Sequence, residues 1–382
     1  MKKLLALSAI VAALALVATA CGSSGSDTGT TTAEGSSTST EEQASGGSSL
    51  VEEAEANLAK LTQNPPKITV PPVKKPIPTG ETLTFGTCPL PVCVAVEEGA
   101  EEAAKVLGWS FKPVNQGLTP ATVTSAWNGI AQDPGSAVAA DAVLPNSALT
   151  KQLEAVAAKE VPYVGVAQND PPGELMVAAT AAPNQMYGDG QALANWVIVN
   201  SEGEPSNSLF VYDPALVDLA HAQVGYHDTM EEMCPECTVS DLKVAAADSG
   251  TKIPEEVANQ LRTNPDIEYV VFGLGDYATG VPQALKRANL PSSPILITRA
   301  ASTTNMEDIK NGEMTAGLTS ETVESGWRTV DLLARVLAGE ELYSDTPVGG
   351  RTFLTVENLP EDVSVPFKVP GFEKVFEEAW GK

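Results

Sequence analysis

The sequence is poor in positive charge. Its 382 residues carry 23 Lys and Arg against 49 Asp and Glu, a formal net charge of −26. Nucleic acid is bound by basic surfaces, so this balance argues against such a partner. It also argues against a folded body that adheres to anionic membranes. Histidine is scarcer still, with only His221 and His227. They stand six apart, a poor spacing for two metal ligands on one helix face. There is no Gly-x-Ser-x-Gly elbow and no phosphate loop with lysine. Gly273-Leu274-Gly275 lacks the third glycine of a dinucleotide fingerprint. An exported hydrolase is therefore a weak alternative, and no cofactor is expected. Long apolar runs are missing too. The one stretch of that kind, residues 4–17, is too short and too early for a membrane-spanning anchor by itself.

What is present points outward from the cytoplasm. Lys2 and Lys3 precede the apolar stretch, as in an export signal. Leu16-Val17-Ala18-Thr19-Ala20-Cys21-Gly22 resembles a lipoprotein cleavage box. That resemblance implies removal of residues 1–20 and a lipid anchor on Cys21, on the extracytoplasmic face of the cell membrane. Four further cysteines, Cys88, Cys93, Cys234 and Cys237, allow three pairings. Export favours disulfides, and closeness in sequence makes Cys88–Cys93 and Cys234–Cys237 the simplest bridges. A four-cysteine zinc site is the sharper alternative; we expect no metal.

Residues 22–49 are Ser, Thr and Gly with scattered acids, a composition that cannot bury enough apolar surface to fold. Residues 50–61 have the spacing of a short helix. Residues 65–80 hold six prolines, so they should be extended, spanning roughly 50 Å at about 3.1 Å per residue. The whole of 21–80 is expected to act as a tether that holds a folded body away from the lipid.

With 43% hydrophobic and 19% charged residues, most of the chain should be globular, and its length suits two domains. From residue 81, strands and helices alternate. Strands are expected at 83–86, 109–114, 142–144, 163–166 and 175–178. Helical stripes lie between them, with Trp127 in the core. The pattern then restarts, with a helix at 184–199 and strands at 209–212 and 239–245. The stretch 266–299 is the clearest unit. Tyr269-Val270-Val271-Phe272 is an unalternating apolar run, which reads as a strand covered on both faces. A helix at 277–288 follows, then a second buried strand at 295–298. Ligands of such sheets sit outside the carboxyl ends of the strands, where Asp276 lies. Its other role is to cap the following helix. A crossing strand at 315–319, a helix containing Trp327 and ending at Gly339, a strand at 351–356 and a helix at 372–380 complete the chain. The expected fold class is α/β: two open parallel-sheet lobes with helices on both faces and a ligand cleft between them.

Several stretches resemble the type I periplasmic binding proteins, the ribose-binding and repressor-core group. They are Glu97-Glu98-Gly99-Ala100-Glu101-Glu102-Ala103-Ala104, the pair Gly225-Tyr226, Phe272-Gly273-Leu274-Gly275-Asp276 and residues 326–339. The resemblance covers about 81–382. It implies two lobes joined by three hinge crossings, near Pro183, near Ser320 and near 343–349. The first lobe would be 81–183 plus 321–343, the second 184–320 plus 349–382. It further implies a monomer that closes on a small molecule and delivers it to an ABC permease. Service as the ligand-sensing partner of a membrane receptor is the alternative.

Polar positions that hold sugars in this family fall here on Ala167 and Gln168, Ala222, Gly275, Ala301 and Ser320. First-loop contacts fall on Leu90, Val92 and Cys93. A buried hydroxyl without a partner costs about 1–3 kcal/mol. The ligand is accordingly expected to be sugar-like but held by other residues, or less polar. The candidate contacts are Asn146, Gln168, Asn169, Asp170, Asp213, Asp276, Tyr277 and Arg299. Against these stand plainer roles: Asn146 as a helix cap, and Asn169-Asp170-Pro171-Pro172 as turn chemistry.

Overall fold

The computed structural model describes residues 40–181, 183–290, 293–343 and 350–382, with side chains from residue 48 onward except at 217 and 218. The leader at 1–20, Cys21, the tether as far as 39 and residues 344–349 of the crossing expected near 343–349 lie outside the described residues.

The first helix, α1, is Thr40–Leu61. After an extended segment the chain builds β1 (Thr82–Thr87), α2 (Pro91–Leu107), β2 (Ser110–Asn115), α3 (Pro120–Gln132), β3 (Ala137–Asp141), α4 (Thr150–Ala157), β4 (Tyr163–Val166) and β5 (Ala178–Thr180). These five strands pair in parallel in the order β2-β1-β3-β4-β5. Next come α5 (Pro183–Asn200), β6 (Asn207–Tyr212), α6 (Val217–Met233), β7 (Thr238–Lys243), α7 (Ile253–Thr263), β8 (Tyr269–Phe272), α8 (Val281–Ala288), β9 (Ile295–Arg299), α9 (Thr303–Lys310), β10 (Ala316–Leu318), α10 (Thr322–Ala338), β11 (Phe353–Leu354) and α11 (Phe372–Trp380). Their sheet has the order β11-β10-β9-β8-β6-β7. It is parallel throughout except for β11, an antiparallel edge strand.

Each sheet is covered on both faces. In the first lobe α2, α10 and α11 close over Leu83, Phe85 and Val164, while α3 and α4 cover Val138, Ala140 and Tyr163. In the second, α5 and α6 cover Phe210, Val271 and Ile297, and α7, α8 and α9 cover Val270, Phe272 and Leu296. That two-sided burial is why β8 reads as a continuous apolar run.

Four expectations are corrected. The third strand is Ala137–Asp141, not 142–144; all five residues are buried, and the small alanines let layers from both sides approach. The fifth strand is Ala178–Thr180, shifted towards the C-terminus from 175–178. The helix expected at 277–288 is broken. A 3-10 turn covers Gly275–Ala278, and Gly280, at φ 78°, turns the chain into α8. Residues 349–382 divide between the lobes. β11 joins the second sheet, but α11 packs on α10 in the first lobe, with Trp380 stacked on Trp327 at 5.5 Å and its Nε1 donating to Asp331 at 2.8 Å.

The segment expected to act as a spacer is part of the body. On α1, Ala54 is fully buried against α5 and α6 of the second lobe, and Asn57 Nδ2 donates to Asn195 Oδ1 at 3.4 Å. The proline segment runs along the first lobe. Ile68 is buried there, with Val70, Val73 and Ile77 packed beside it. Its backbone is also bonded: Val73 N donates to Ala379 O at 2.7 Å, and the Trp109 indole donates to Pro78 O at 2.8 Å. Proline-rich backbone offers few donors, but its carbonyls remain acceptors and its rings and flanking aliphatics are apolar.

Two helix pairs cross at glycine. A Cβ on Gly225 would sit 2.2 Å from Tyr187 O of α5, and one on Gly99 would sit 2.1 Å from Val323 O of α10. These contacts bring α5 onto α6 and α2 onto α10 at backbone distance. Gly225→Ala should therefore cost about 1–3 kcal/mol, the usual penalty of overpacking. Gly129→Ala, where nothing lies within 4 Å of the added carbon, should not destabilise. Urea denaturation of the two variants checks the contrast; equal stability would mean the α5–α6 crossing adjusts freely.

Candidate functional site

Both sheets direct the carboxyl ends of their strands at one cleft, the position favoured for ligands in open α/β sheets. Between the lobes lies a cavity of about 100 Å³. The first lobe lines it with the loop after β1 (Cys88, Leu90) and the start of α2 (Val92, Cys93, Val96). Asp141 and Val143 after β3 and Val166 at the end of β4 complete that wall. The second lobe adds Met186, Leu216, Leu219, Leu274 and Arg299. The crossing into α10 contributes Ser320, Glu321, Thr322 and Ser325. Among the described residues the lining holds no aromatic and no amide side chain. Apart from Asp141 and Arg299 at strand ends, its polar groups lie at the crossing, where the cavity continues into a recess lined by Gln185, Asp189, Glu321, Arg328 and Arg351.

The wall after β1 is set by a disulfide. Cys88 and Cys93 are bonded with Cα atoms 5.4 Å apart, and Cys88 N donates to Asp141 Oδ2 at 3.2 Å. Cys234 and Cys237 form the second bridge, at the end of α6 in the other lobe. Each pair is closed on itself, so the four sulfurs do not meet as a zinc site would require. Cys88, Cys93 and Asp141 do lie within 4.8 Å of one another, but both sulfurs are consumed in the bridge.

The candidate residues take different roles. Asn146, Gln168, Asn169 and Asp170 brace their own loops. Gln168 Nε2 donates to Asn146 Oδ1 at 3.0 Å, Asn146 N donates to Asp170 Oδ2 at 2.8 Å, and Asn169 N donates to Gln168 Oε1 at 2.8 Å. Gln168, Asn169 and Asp170 border a separate depression beside the cavity. Asp213 ties the ends of β6 and β7 by accepting from Ala215 N at 2.8 Å and Ala246 N at 2.7 Å. Tyr277 is fully buried in the second-lobe core.

Arg299 does line the cavity, yet its guanidinium is held from behind. Nε donates to Asp189 Oδ2 at 2.8 Å, and Arg351 Nε lies 2.6 Å from the other carboxylate oxygen. All three side chains are at most 8% exposed. Asp276 bridges the lobes. Its Oδ2 faces Val92 N in the first turn of α2, at 3.5 Å. Burial pushes its carboxyl up to about 6, and the Val92 N–H offsets this only in part.

Sequence reasoning passed over Asp141 and Glu321. Asp141 was hidden by the misplaced third strand, whose last residue it is. Glu321 adjoins Ser320, already marked as a crossing, and an acid at a crossing was the available signal.

Strand ends of two similar lobes facing a shared cavity define a class of two-lobed α/β proteins. The chain belongs to the periplasmic binding protein domain family, whose profile matches residues 90–341, and it has the fold of the type I members. A comparison with curated protein sequences finds no match. Among solved structures it resembles GanP, a glucose-galactose binding protein from Geobacillus stearothermophilus, with a TM-score of 0.63 at 15% identity over 74% of this chain and 100% of that one. An ABC sugar transporter subunit from Rhodobacter sphaeroides 2.4.1 gives 0.63 at 18% identity, over 73% and 99%. A solute-binding protein from Agrobacterium vitis, bound with alpha-D-tagatopyranose, gives 0.64 at 14% identity, over 75% and 99%. Among the described residues no helix is long and apolar enough to cross a membrane.

Asp276 generates a pH test. Its carboxyl is displaced upward in the folded protein, from 3.8 to about 6. The folded state thus holds the proton more tightly than the unfolded chain. The associated stabilisation is complete below about pH 3.8 and is lost as pH rises through 6. Asp276→Asn should match the wild type near pH 4 and exceed it at pH 7.5, by up to about 3 kcal/mol at about 1.4 kcal/mol per pH unit of displacement. Denaturant titrations at both pH values measure this; a difference that does not change with pH would show that the carboxyl titrates normally.

Proposed function

We propose that this protein is an extracytoplasmic solute-binding lipoprotein. It captures a small molecule between its lobes and delivers it to an ABC permease. The observation that carries this reading is the cavity at the facing strand ends, open to solvent on one side, in a chain of the periplasmic binding protein family. The cleavage box ending at Cys21 supports a lipid anchor. The lining supports a solute less polar than a sugar. A sugar hydroxyl needs a partner at nearly every position, whereas most of this wall is aliphatic or disulfide sulfur.

Binding energy here comes from removing apolar ligand surface from water, about 25 cal/mol for each Å². Closure of the lobes would complete the enclosure. Asp276, set against the first turn of α2, contributes to the contact between lobes rather than to the cavity wall.

Thermal-shift screening of the mature protein across sugars, polyols, aromatic acids, nucleosides and small aliphatic amines and alcohols tests this reading. A ligand at a hundred times its Kd adds about 2.7 kcal/mol to stability, which raises the melting temperature visibly. Val143→Trp, which fills the cavity from the first-lobe wall, should abolish the shift while the unliganded protein still melts cooperatively. For the anchor, Cys21→Ala should release the protein from the membrane fraction or leave it unprocessed. A Cys21→Ala protein that is matured and stays membrane-bound would refute the lipid attachment.

A further inference from the structure

The cavity is asymmetric. Towards the strand ends its wall is aliphatic, with Leu90, Val143, Leu216 and Leu274 facing the same space. Towards the hinge its polar groups converge on the crossing between β10 and α10. Glu321 is the charged member there. Its side chain is about nine-tenths buried and borders both the cavity and the polar recess behind it. One carboxylate oxygen, Oε2, accepts from Arg328 Nη2 at 3.2 Å. The other, Oε1, is buried with no hydrogen-bond partner among the described residues. A buried acceptor left unsatisfied is costly, so it marks a place where a donor belongs.

The surrounding charges decide which donors fit. Arg299 and Arg351 are both turned onto Asp189. Arg328 lines the recess and not the cavity; its Nη2 donates to Glu321, while Nε and Nη1 are buried without a partner among the described residues. Among the described residues the one cation in the cavity lining, Arg299, is thus already paired, and an anion there would meet Asp141 and Glu321. A molecule ringed with hydroxyls would leave most of them against hydrocarbon.

Resting on the solute-binding reading above, we propose that the solute is a compact, mostly apolar molecule with a single donor head, an ammonium or a hydroxyl. Its body lies against the aliphatic wall, and its head donates to Glu321 Oε1 at the hinge. Ser320 and Ser325 flank that head. The same placement makes Glu321 a specificity-determining residue, because it sits where the chain passes from one lobe to the other.

A matched series of probes tests this: cyclohexylamine, cyclohexanol, cyclohexanecarboxylate and methylcyclohexane, with D-ribose and D-galactose, titrated calorimetrically into the mature protein. The amine or the alcohol should bind at least tenfold more tightly than the carboxylate and the hydrocarbon, and the two sugars should not bind. Glu321→Gln keeps an acceptor oxygen and removes the charge. It should weaken the amine at least tenfold and the alcohol less, which separates the two donor types. Amide shift mapping on the wild-type protein supplies a readout independent of any variant, and cyclohexylamine should perturb residues 320–325 most. Equal affinity for the carboxylate, unchanged amine affinity in Glu321→Gln or shifts centred elsewhere would overturn the role of Glu321. Sugar binding that Val143→Trp abolishes would overturn the ligand class and leave the solute-binding reading standing. No binding by any cyclohexyl compound would also overturn the ligand class. Amine binding that survives Val143→Trp would place the site outside the cleft and remove the reading on which this one rests.

Discussion

The hinge depends on one buried carboxylate. Asp189, 1% exposed, sits on α5 just after the chain leaves the first sheet. It receives Arg299 from the end of β9 and Arg351 from the segment leading into β11. Three elements from distant parts of the sequence are thereby fixed at one point. Removal of any partner would strand a buried charge, a change that usually costs about 3–5 kcal/mol. The same pairing determines what the cavity can bind. Arg299 reaches the wall by position, but its charge is already neutralised. The site is apolar partly because its arginine has been drawn into holding the hinge together.

Backbone contact between helices is the second constraint. Gly99 and Gly326 let α2 and α10 touch in the first lobe; Gly190 and Gly225 do the same for α5 and α6 in the second. Each pair covers one face of its sheet, and each lies beside a crossing. α10 begins at Thr322, directly after Glu321, so the position of the acid follows from how closely α2 accepts α10. The disulfide after β1 fixes the loop that leads into α2. Cavity wall, helix contact and hinge acid are therefore parts of one packed unit.

The fold was legible wherever local pattern and burial agree. The run at β8 and the amphipathic stripe of α11 fall where their residues indicate, because each is decided by side chains within the element. The third strand was not legible. Its alanines have low strand propensity, and only the helices packed on both faces select them for the sheet centre. The break before α8 depends on Gly280 in a left-handed conformation, which periodicity does not register. In the site, Asn146, Gln168, Asp170 and Asp213 were visible as polar residues after strands. Sequence could not show that their hydrogen bonds are satisfied by loop backbone and by one another. Whether a strand-end polar group faces a ligand or its own turn is a question of geometry, settled by one rotation about a side-chain bond.

The proline segment shows the same limit at larger scale. Its composition resembles a spacer because prolines and a few valines lack periodicity. In the structure it covers apolar surface on the first lobe, while α1 before it packs on the second. The segment therefore passes from lobe to lobe. It does so beside the hinge: Gln63 N donates to Arg351 O at 2.7 Å, and Gly350 N donates to Lys67 O at 3.2 Å. Displacement in a hinge rotation grows with distance from the axis. If the lobes separate as the proposed function requires, a strap bonded next to Arg351 would move little, and it could stabilise both without locking them. Had it crossed at the mouth of the cleft, near Asp276 and Val92, every opening would have had to break it. Its position at the hinge keeps stabilisation of the lobes separate from access to the cavity.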